Sequence, residues 1–261
     1  MPSPLFEFFE VVAEELCVEN TRVITREDLA ARDDHAPLLD DLKREMKAAS
    51  SDEAIRLAVE NLHRHFAERG SCIPFEYDPD TGRFTASDVV FLAFIVAMNE
   101  IRGLRERAKD FECEVTRLLS GKVSGSLHRV GFPRERMRTR AEFNAHLRTL
   151  GFGRDVALGY EKDGGFDILW VLPLGAAPHQ PLVLVQCKNG TFNIDNAYAS
   201  VGAASASLSQ HSGLQPTVHV PCVLFNDYIS RESLTPKQLS FVPLGLTDLC
   251  SRMERVTLQM I

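Results

Sequence analysis

The sequence predicts a mixed α/β protein that begins with an α-helical N-terminal region. Three observations indicate this: apolar residues follow a helical period over the first hundred positions, short apolar strand-like runs replace them later, and the composition suits a protein with a buried core. The chain has 261 residues, of which 44% are hydrophobic and 25% charged, and a chain of that size buries a full core. We place the helical region at 1–105 and the α/β core at 106–261.

The N-terminal region shows signals of several helices. The first helix has apolar residues on one face, namely Leu5, Phe8, Phe9, Val12 and Leu16, a spacing that predicts a helix over about 4–16. The segments 25–28 (Thr-Arg-Glu-Asp) and 51–54 (Ser-Asp-Glu-Ala) are typical helix starts. Residues 73–86 hold turn-formers between short extended pieces, which predicts a small hairpin. From Ser87 one long helical pattern runs to about Leu119.

The core shows strand signals instead. Residues 156–160, 166–172 and 182–187 are short apolar runs that we interpret as strands. An Asp-Gly pair lies between the first two runs and favours a tight hairpin. The remaining predicted elements are a small-residue helix over 197–211, a strand over 219–225, an apolar segment over 239–244 and a last helix capped near Thr247.

Charge is distributed unevenly along the chain. The formal net charge is −7, and residues 1–60 are strongly acidic, whereas 117–154 hold nine Lys or Arg against only Glu135 and Glu142. A local basic segment is compatible with phosphate binding, although a solvated arginine-rich loop is the alternative. The candidates for contacts with backbone phosphates are Arg134, Arg136, Arg138 and Arg140.

Three polar residues stand at the ends of predicted strands. Side chains alternate along a strand, so Gln186 and Lys188 share one face and Cys187 points to the other. Burying such polar groups without hydrogen-bond partners costs roughly several kcal/mol, so we expect these two side chains to have a function. Asp167 lies on the preceding strand, and neighbouring strands are about 4.8 Å apart. We therefore expect Asp167, Gln186 and Lys188 to converge at one edge of the sheet.

This trio suits metal-assisted hydrolysis of a phosphodiester. Carboxylate and amide oxygens are ligands for Mg²⁺ or Mn²⁺, and the bound ion activates water. A lysine beside that water helps to stabilise developing negative charge. A single carboxylate is too few charged ligands for a divalent ion, so we expect a second carboxylate from elsewhere in the chain.

The motifs resemble those of the PD-(D/E)xK nuclease superfamily, and most of all the Mrr-type restriction endonucleases. The matching stretches are 163–169 (Asp-Gly-Gly-Phe-Asp-Ile-Leu) and 185–188 (Val-Gln-Cys-Lys), within a resemblance that covers about 105–227. The resemblance implies a restriction-endonuclease-like mixed sheet flanked by helices. It also implies that Asp167 and Gln186 bind the metal, that the Cys187 main-chain carbonyl contacts it, and that Lys188 is catalytic.

The same resemblance implies a glutamate on a helix that precedes the sheet. Glu112 follows Phe111 in the family-like order but lies far upstream of Asp167. Glu142 lies on a helix that leads into the predicted first strand, but it precedes its phenylalanine. We favour Glu112 as the further metal ligand and keep Glu142 as the alternate.

The expected function is a Mg²⁺-dependent DNA endonuclease, either a restriction or defence enzyme or a mobile-element nuclease. Alternatives are a non-catalytic interaction protein with the nuclease fold, and a structure-selective repair or recombination nuclease. Cutting a duplex requires two hydrolyses, so a homodimer is expected. No signal peptide or apolar run long enough to cross a bilayer is visible, which favours a cytoplasmic protein without membrane partners.

Overall fold

The computed structural model describes residues 3–18, 22–131, 139–149, 167–173, 181–191, 193, 195, 219–229 and 242–250. The chain divides into two compact units. Of the described residues, the first unit holds those up to Arg102 together with 227–229 and 245–250, and the second holds those from Gly103 to Asn226 together with 242–244. The division after Arg102 lies close to the predicted boundary at 105. Residues 227–229 and 245–250 join the first unit, whereas the sequence assigned them to the core.

The first unit is mainly helical. Its helices are α1 (Pro4–Val18), α2 (Arg26–Ala30), α3 (Ala36–Met46), α4 (Ser51–Glu68) and α5 (Val89–Ile101). The predicted apolar stripe of α1 is buried from Phe8 onward, with Phe9 and Val12 both 0% exposed, while Leu5 is half-buried. Both predicted helix starts are confirmed. Thr25 caps α2 in a reciprocal capping box with Asp28, and α4 begins at Ser51 behind the side-chain cap of Ser50.

The predicted hairpin at 73–86 is confirmed as β2 (Phe75–Asp78) and β3 (Arg83–Ala86), which pair antiparallel. A further short strand, β1 (Val23–Thr25), pairs with the other edge of β3. The first unit therefore contains a three-stranded sheet in the order β1-β3-β2. β1 was not predicted, because three residues are too few to show an alternating pattern.

The prediction of one helix from Ser87 to Leu119 was wrong. α5 ends at Ile101, a short 3₁₀ turn covers Arg105–Arg107, and α6 spans Ala108–Ser120. Gly103 adopts φ +75° between them. That left-handed conformation is accessible to glycine and incompatible with a continuing α-helix.

The second unit is built on a five-stranded mixed sheet. Its strands are β4 (Ser126–Arg129), β5 (Ile168–Val171), β6 (Leu182–Lys188), β7 (His219–Phe225) and β8 (Val242–Leu244), hydrogen-bonded in that order. The pairs β4–β5 and β5–β6 are antiparallel, and the pairs β6–β7 and β7–β8 are parallel. Helix α6 packs against β4 and β6, and α7 (Arg140–Thr149) belongs to the same unit.

The predicted strands at 166–172, 182–187 and 219–225 are confirmed as β5, β6 and β7. β4 was not predicted, because its sequence Ser-Leu-His-Arg lies within the basic segment and is weakly apolar. The predicted strand 156–160, its Asp-Gly hairpin and the helix 197–211 lie outside the described residues. Within the described part of the chain, no helix has both the length and the apolar character needed to cross a bilayer.

Candidate functional site

Asp167 is fixed by its main chain between two strands, one residue before β5 begins. Its N–H donates to the Val185 carbonyl over 2.8 Å. Its carbonyl accepts from the N–H groups of Val130 and Gly131, over 2.7 and 3.0 Å. Only 4% of the residue is exposed. The position of this carboxylate is therefore set by the sheet rather than by a loose loop.

The Asp167 carboxylate contacts the predicted Gln-x-Lys segment directly. Its Oδ2 atom accepts a hydrogen bond of 2.7 Å from the main-chain N–H of Cys187. Cys187 stands between Gln186 and Lys188 at the end of β6. The structure thus brings the first predicted carboxylate against the backbone of the other predicted motif.

Glu112 reaches the same place from α6. The helix buries Phe111 and Val115 on its apolar face, and the Glu112 side chain is 12% exposed. The Glu112 and Asp167 carboxylates both lie close to Gly131. A Cβ atom built there would lie 2.6 Å from Glu112 Oε2 and 3.1 Å from Asp167 Oδ1. The two oxygens are therefore no farther apart than the sum of these distances.

Glu142 has a different role. It lies exposed in the first turn of α7, where its Oε2 atom accepts from the Thr139 N–H over 2.9 Å. Its own N–H donates to Thr139 Oγ over 3.2 Å. This reciprocal pair is a capping box that starts the helix. Glu112 is the glutamate that lies beside Asp167. It is therefore the candidate for the further metal ligand.

Gln186 places an amide in the interior of the second unit. The residue is 8% exposed, and its Oε1 atom is buried with no hydrogen-bond partner among the residues that the structure describes. A buried acceptor left unsatisfied costs about 1–3 kcal/mol. A cation or a donor on a ligand would offset that cost, so this oxygen is a candidate contact for a bound group.

Lys188 ends β6 and is half-buried. Its carbonyl accepts from the N–H groups of Gly190 and Asn226, each over 2.9 Å. Asn226 in turn donates to Asn189 Oδ1 over 2.7 Å, and Asn189 donates to the Leu104 carbonyl over 3.0 Å. The segment that follows the motif is thus anchored by amide hydrogen bonds. Strand alternation places Lys188 on the same face as Gln186.

Cys187 does not have the properties of a nucleophile. Burial raises the pKa of its thiol well above the usual range, and the Asp167 and Glu112 carboxylates raise it further. Only the thiolate is strongly nucleophilic, and a raised pKa keeps the thiol protonated. The main-chain N–H of this residue is the group that contacts the site. The implied contact between its carbonyl and a metal stays a prediction.

Arg129 and Gly131 were not singled out from the sequence. The Arg129 Nη1 atom lies 4.0 Å from Glu112 Oε2, and the two side chains are 16% and 12% exposed. A cation at this distance offsets part of the charge of two neighbouring carboxylates. Arg129 ends β4, and Gly131 follows two residues later and donates its N–H to the Asp167 carbonyl. Because β4 itself was not predicted, no sequence signal pointed to either residue.

The arginines predicted to contact DNA lie mostly outside the described residues. Arg134, Arg136 and Arg138 lie outside the described residues, and of Arg140 only the main chain, at the start of α7, is described. Their predicted DNA contacts therefore stay predictions.

The donor set can be compared with what a metal ion needs. Across the described ranges, no group of three or more His, Cys, Asp or Glu side chains is arranged to hold a metal. The site instead offers two carboxylates and one amide oxygen. These are the hard oxygen donors that Mg²⁺ and Mn²⁺ bind, usually with water completing the coordination. The unsatisfied oxygen of Gln186 also fits a cation.

Comparisons with protein-family models, curated proteins and solved structures give no match. The likeness to the PD-(D/E)xK nucleases therefore rests on Asp167 and the Gln-x-Lys motif, and functional inference rests on how these residues are arranged.

Proposed function

We propose that the chain is a metal-dependent nuclease that hydrolyses phosphodiester bonds in DNA. One observation carries the proposal. The Asp167 carboxylate contacts the backbone between Gln186 and Lys188 and also lies beside Glu112 at Gly131. Three separate chain segments thus bring two acids close to a Gln-x-Lys strand end.

Two adjacent carboxylates out of water favour a bound cation. Two unit charges about 5 Å apart repel by roughly 3 kcal/mol at an effective dielectric constant of about 20. Arg129 supplies one positive charge beside Glu112, so a divalent ion would more than neutralise the pair and leave the site attractive to a phosphate.

Each residue has a defined role in the proposal. Asp167, Glu112 and Gln186 would hold the Mg²⁺ or Mn²⁺ through side-chain oxygens. The bound ion would supply a Lewis acid that activates water and offsets charge on the phosphate. The Cys187 N–H holds the Asp167 carboxylate in position. Lys188 stabilises negative charge that develops on the phosphate and orients the attacking water.

DNA as the substrate, and a restriction, defence or mobile-element role, follow from the resemblance in the sequence. Arg134, Arg136, Arg138 and Arg140 are proposed to contact the DNA backbone. A homodimer is proposed because two strands must be cut. A panel of linear, branched and single-stranded DNA tests whether a structure-selective repair nuclease describes the protein better.

The deciding experiment incubates the purified chain with supercoiled plasmid and Mg²⁺. We expect nicked and linear DNA from the wild type, and cleavage at least about 100-fold slower for Lys188→Ala. Lys43→Ala, a charge deletion on α3 in the other unit, is the matched control and should cut normally. Equal inertness of the wild type and Lys188→Ala across many DNA sequences would contradict the proposal.

A non-catalytic interaction protein is the second candidate. The observation that favours it is the neutral Gln186, which leaves the described site with two carboxylates. Titration with Mn²⁺ separates the two candidates without DNA. An enzyme of the proposed kind binds Mn²⁺ in a way that depends on Asp167, whereas an interaction module shows no such dependence.

A further inference from the structure

We infer that Gly131 is a positioning residue of this site, because its missing side chain leaves the space in which the two carboxylates meet. The inference rests on the proposed function for its metal-binding part. It concerns a residue that provides no ligand atom and that the sequence motifs do not include.

The carboxylates, not the backbone, require glycine at this position. Gly131 is not among the glycines with positive φ, so its backbone is open to any L-residue. A methyl group added here would have Glu112 Oε2 at 2.6 Å and Asp167 Oδ1 at 3.1 Å as its nearest neighbours. Gly125 is a contrasting case, with φ +101° and a Val171 carbonyl oxygen 2.1 Å from its Cβ position. A side chain at Gly125 is excluded by the main chain itself.

The two carboxylates would respond differently to a methyl group at Gly131. Asp167 is held by the Cys187 N–H and by main-chain bonds on both sides. Glu112 has a longer and more flexible side chain, and its terminal oxygen makes the closest approach. Glu112 therefore swings away while Asp167 stays. The site loses the proximity of its two acids although every ligand residue is still present.

Gly190 provides a matched control. It lies two residues after Lys188, and a Cβ atom there would meet nothing within 4 Å. Its φ is also outside the positive range. Gly190→Ala therefore makes the same chemical change beside the same motif without entering the space of the carboxylates.

The first test measures Mn²⁺ binding by the full chain, with free Mn²⁺ followed by electron paramagnetic resonance and no DNA present. We expect Gly131→Ala to bind Mn²⁺ at least about 10-fold more weakly than the wild type, as for other residues that orient ligands. Gly190→Ala should stay within about twofold of the wild type. Wild-type affinity in Gly131→Ala would overturn the inference and leave the proposed function intact.

The second test needs no metal. Thermal unfolding in EDTA compares Gly131→Ala in the wild type and in a Glu112→Ala background. We expect the substitution to lower Tm clearly when Glu112 is present and much less in the Glu112→Ala background, where only the 3.1 Å contact with Asp167 Oδ1 remains. An equal loss in both backgrounds, or failure to fold in both, would overturn the inference. If the wild type binds no Mn²⁺, the proposed function fails, and this coupling still decides the role of Gly131.

Discussion

The Oδ2 atom of Asp167 accepts a hydrogen bond of 2.7 Å from the main-chain N–H of Cys187. This contact joins two residues that are 20 positions apart in the chain. The carboxylate has two functions in the proposed site: it accepts this hydrogen bond, and its negative charge binds a cation. An amide oxygen in its place would accept the same hydrogen bond but would bring no negative charge.

Asp167→Asn should therefore separate structure from chemistry. We expect the variant to fold normally and to have a Tm in EDTA equal to or above that of the wild type, because the repulsion from Glu112 is removed. Mg²⁺-dependent cleavage should fall by a factor of at least about 100. Thermal unfolding and a plasmid assay provide the two measurements. A variant that still cuts at the wild-type rate would exclude Asp167 as a metal ligand.

Two glutamates on α6 offer a comparison within one helix. Glu112 lies beside Asp167, whereas Glu114 pairs with Arg117 over 2.7 Å. Glu112→Gln should weaken Mn²⁺ binding by about 10-fold or more, since a charged ligand becomes neutral. Glu114→Gln should leave it within about twofold, as surface ion pairs contribute little. Isothermal titration with MnCl₂ measures both, and equal effects would refute the assignment of Glu112.

The core of the fold was largely predictable from the sequence, and the site was predictable in part. β6 and β7 each contain a run of four apolar residues, 182–185 and 222–225, and such short apolar runs are typical of buried strands. Asp167 and Gln186 were found because polar groups at the ends of such runs need an explanation. Gly131 and Arg129 were missed, because their importance depends on contacts with Glu112 that no local pattern encodes.

In the acidic N-terminal region, too, tertiary contacts decide which residues are buried. The sequence shows that residues 1–60 are acidic but not which of the acids are buried, and Glu10 and Glu15 are only 5% and 6% exposed. Glu10 pairs with Arg102, and Glu15 pairs with Arg32. Both partnerships join residues distant in sequence. Counting charges along the chain therefore cannot show which acids are buried.

Gln186 allows a gain-of-function test. Replacing it by glutamate changes a neutral oxygen donor into a charged one at a buried position beside the Asp167 contact. We expect Gln186→Glu to bind Mn²⁺ more tightly and to be less stable than the wild type in EDTA, because a third buried negative charge then lacks compensation. A higher Mn²⁺ affinity together with a lower Tm in EDTA would indicate that residue 186 faces the metal. Unchanged Mn²⁺ affinity would mean that Gln186 does not face the metal.

Arg129 should matter most when no metal is bound. Removing its charge by Arg129→Met leaves the two carboxylates less compensated, and we expect a loss of about 1–2 kcal/mol in metal-free stability after allowing for partial exposure. Saturating Mn²⁺ should reduce this loss, since the ion offsets the same charges. Arg129→Lys keeps the charge and should lie closer to the wild type. Chemical denaturation with EDTA or with MnCl₂ tests this, and a loss that Mn²⁺ leaves unchanged would argue against it.

His128 on β4 and His146 on α7 form an imidazole pair, with ring centroids 4.9 Å apart. Burial lowers the pKa of both rings, and His146 lowers that of His128 further. In the unfolded chain each histidine has its ordinary pKa of about 6.5. As the pH falls through that value, the unfolded chain takes up protons before the folded one does, so the pair makes the protein lose stability on acidification.

Urea unfolding at several pH values between about 7.5 and 5 measures this effect. The wild type should lose stability as the pH falls below about 6.5, with the loss levelling off once the folded imidazoles also titrate. His128→Gln combined with His146→Gln should flatten the profile in this window. His63→Gln, at an exposed position on α4, is the matched control and should keep the wild-type slope. A double variant with an unchanged slope would show that acid sensitivity in this range comes from other groups, and that α7 is not held against β4 by two neutral rings.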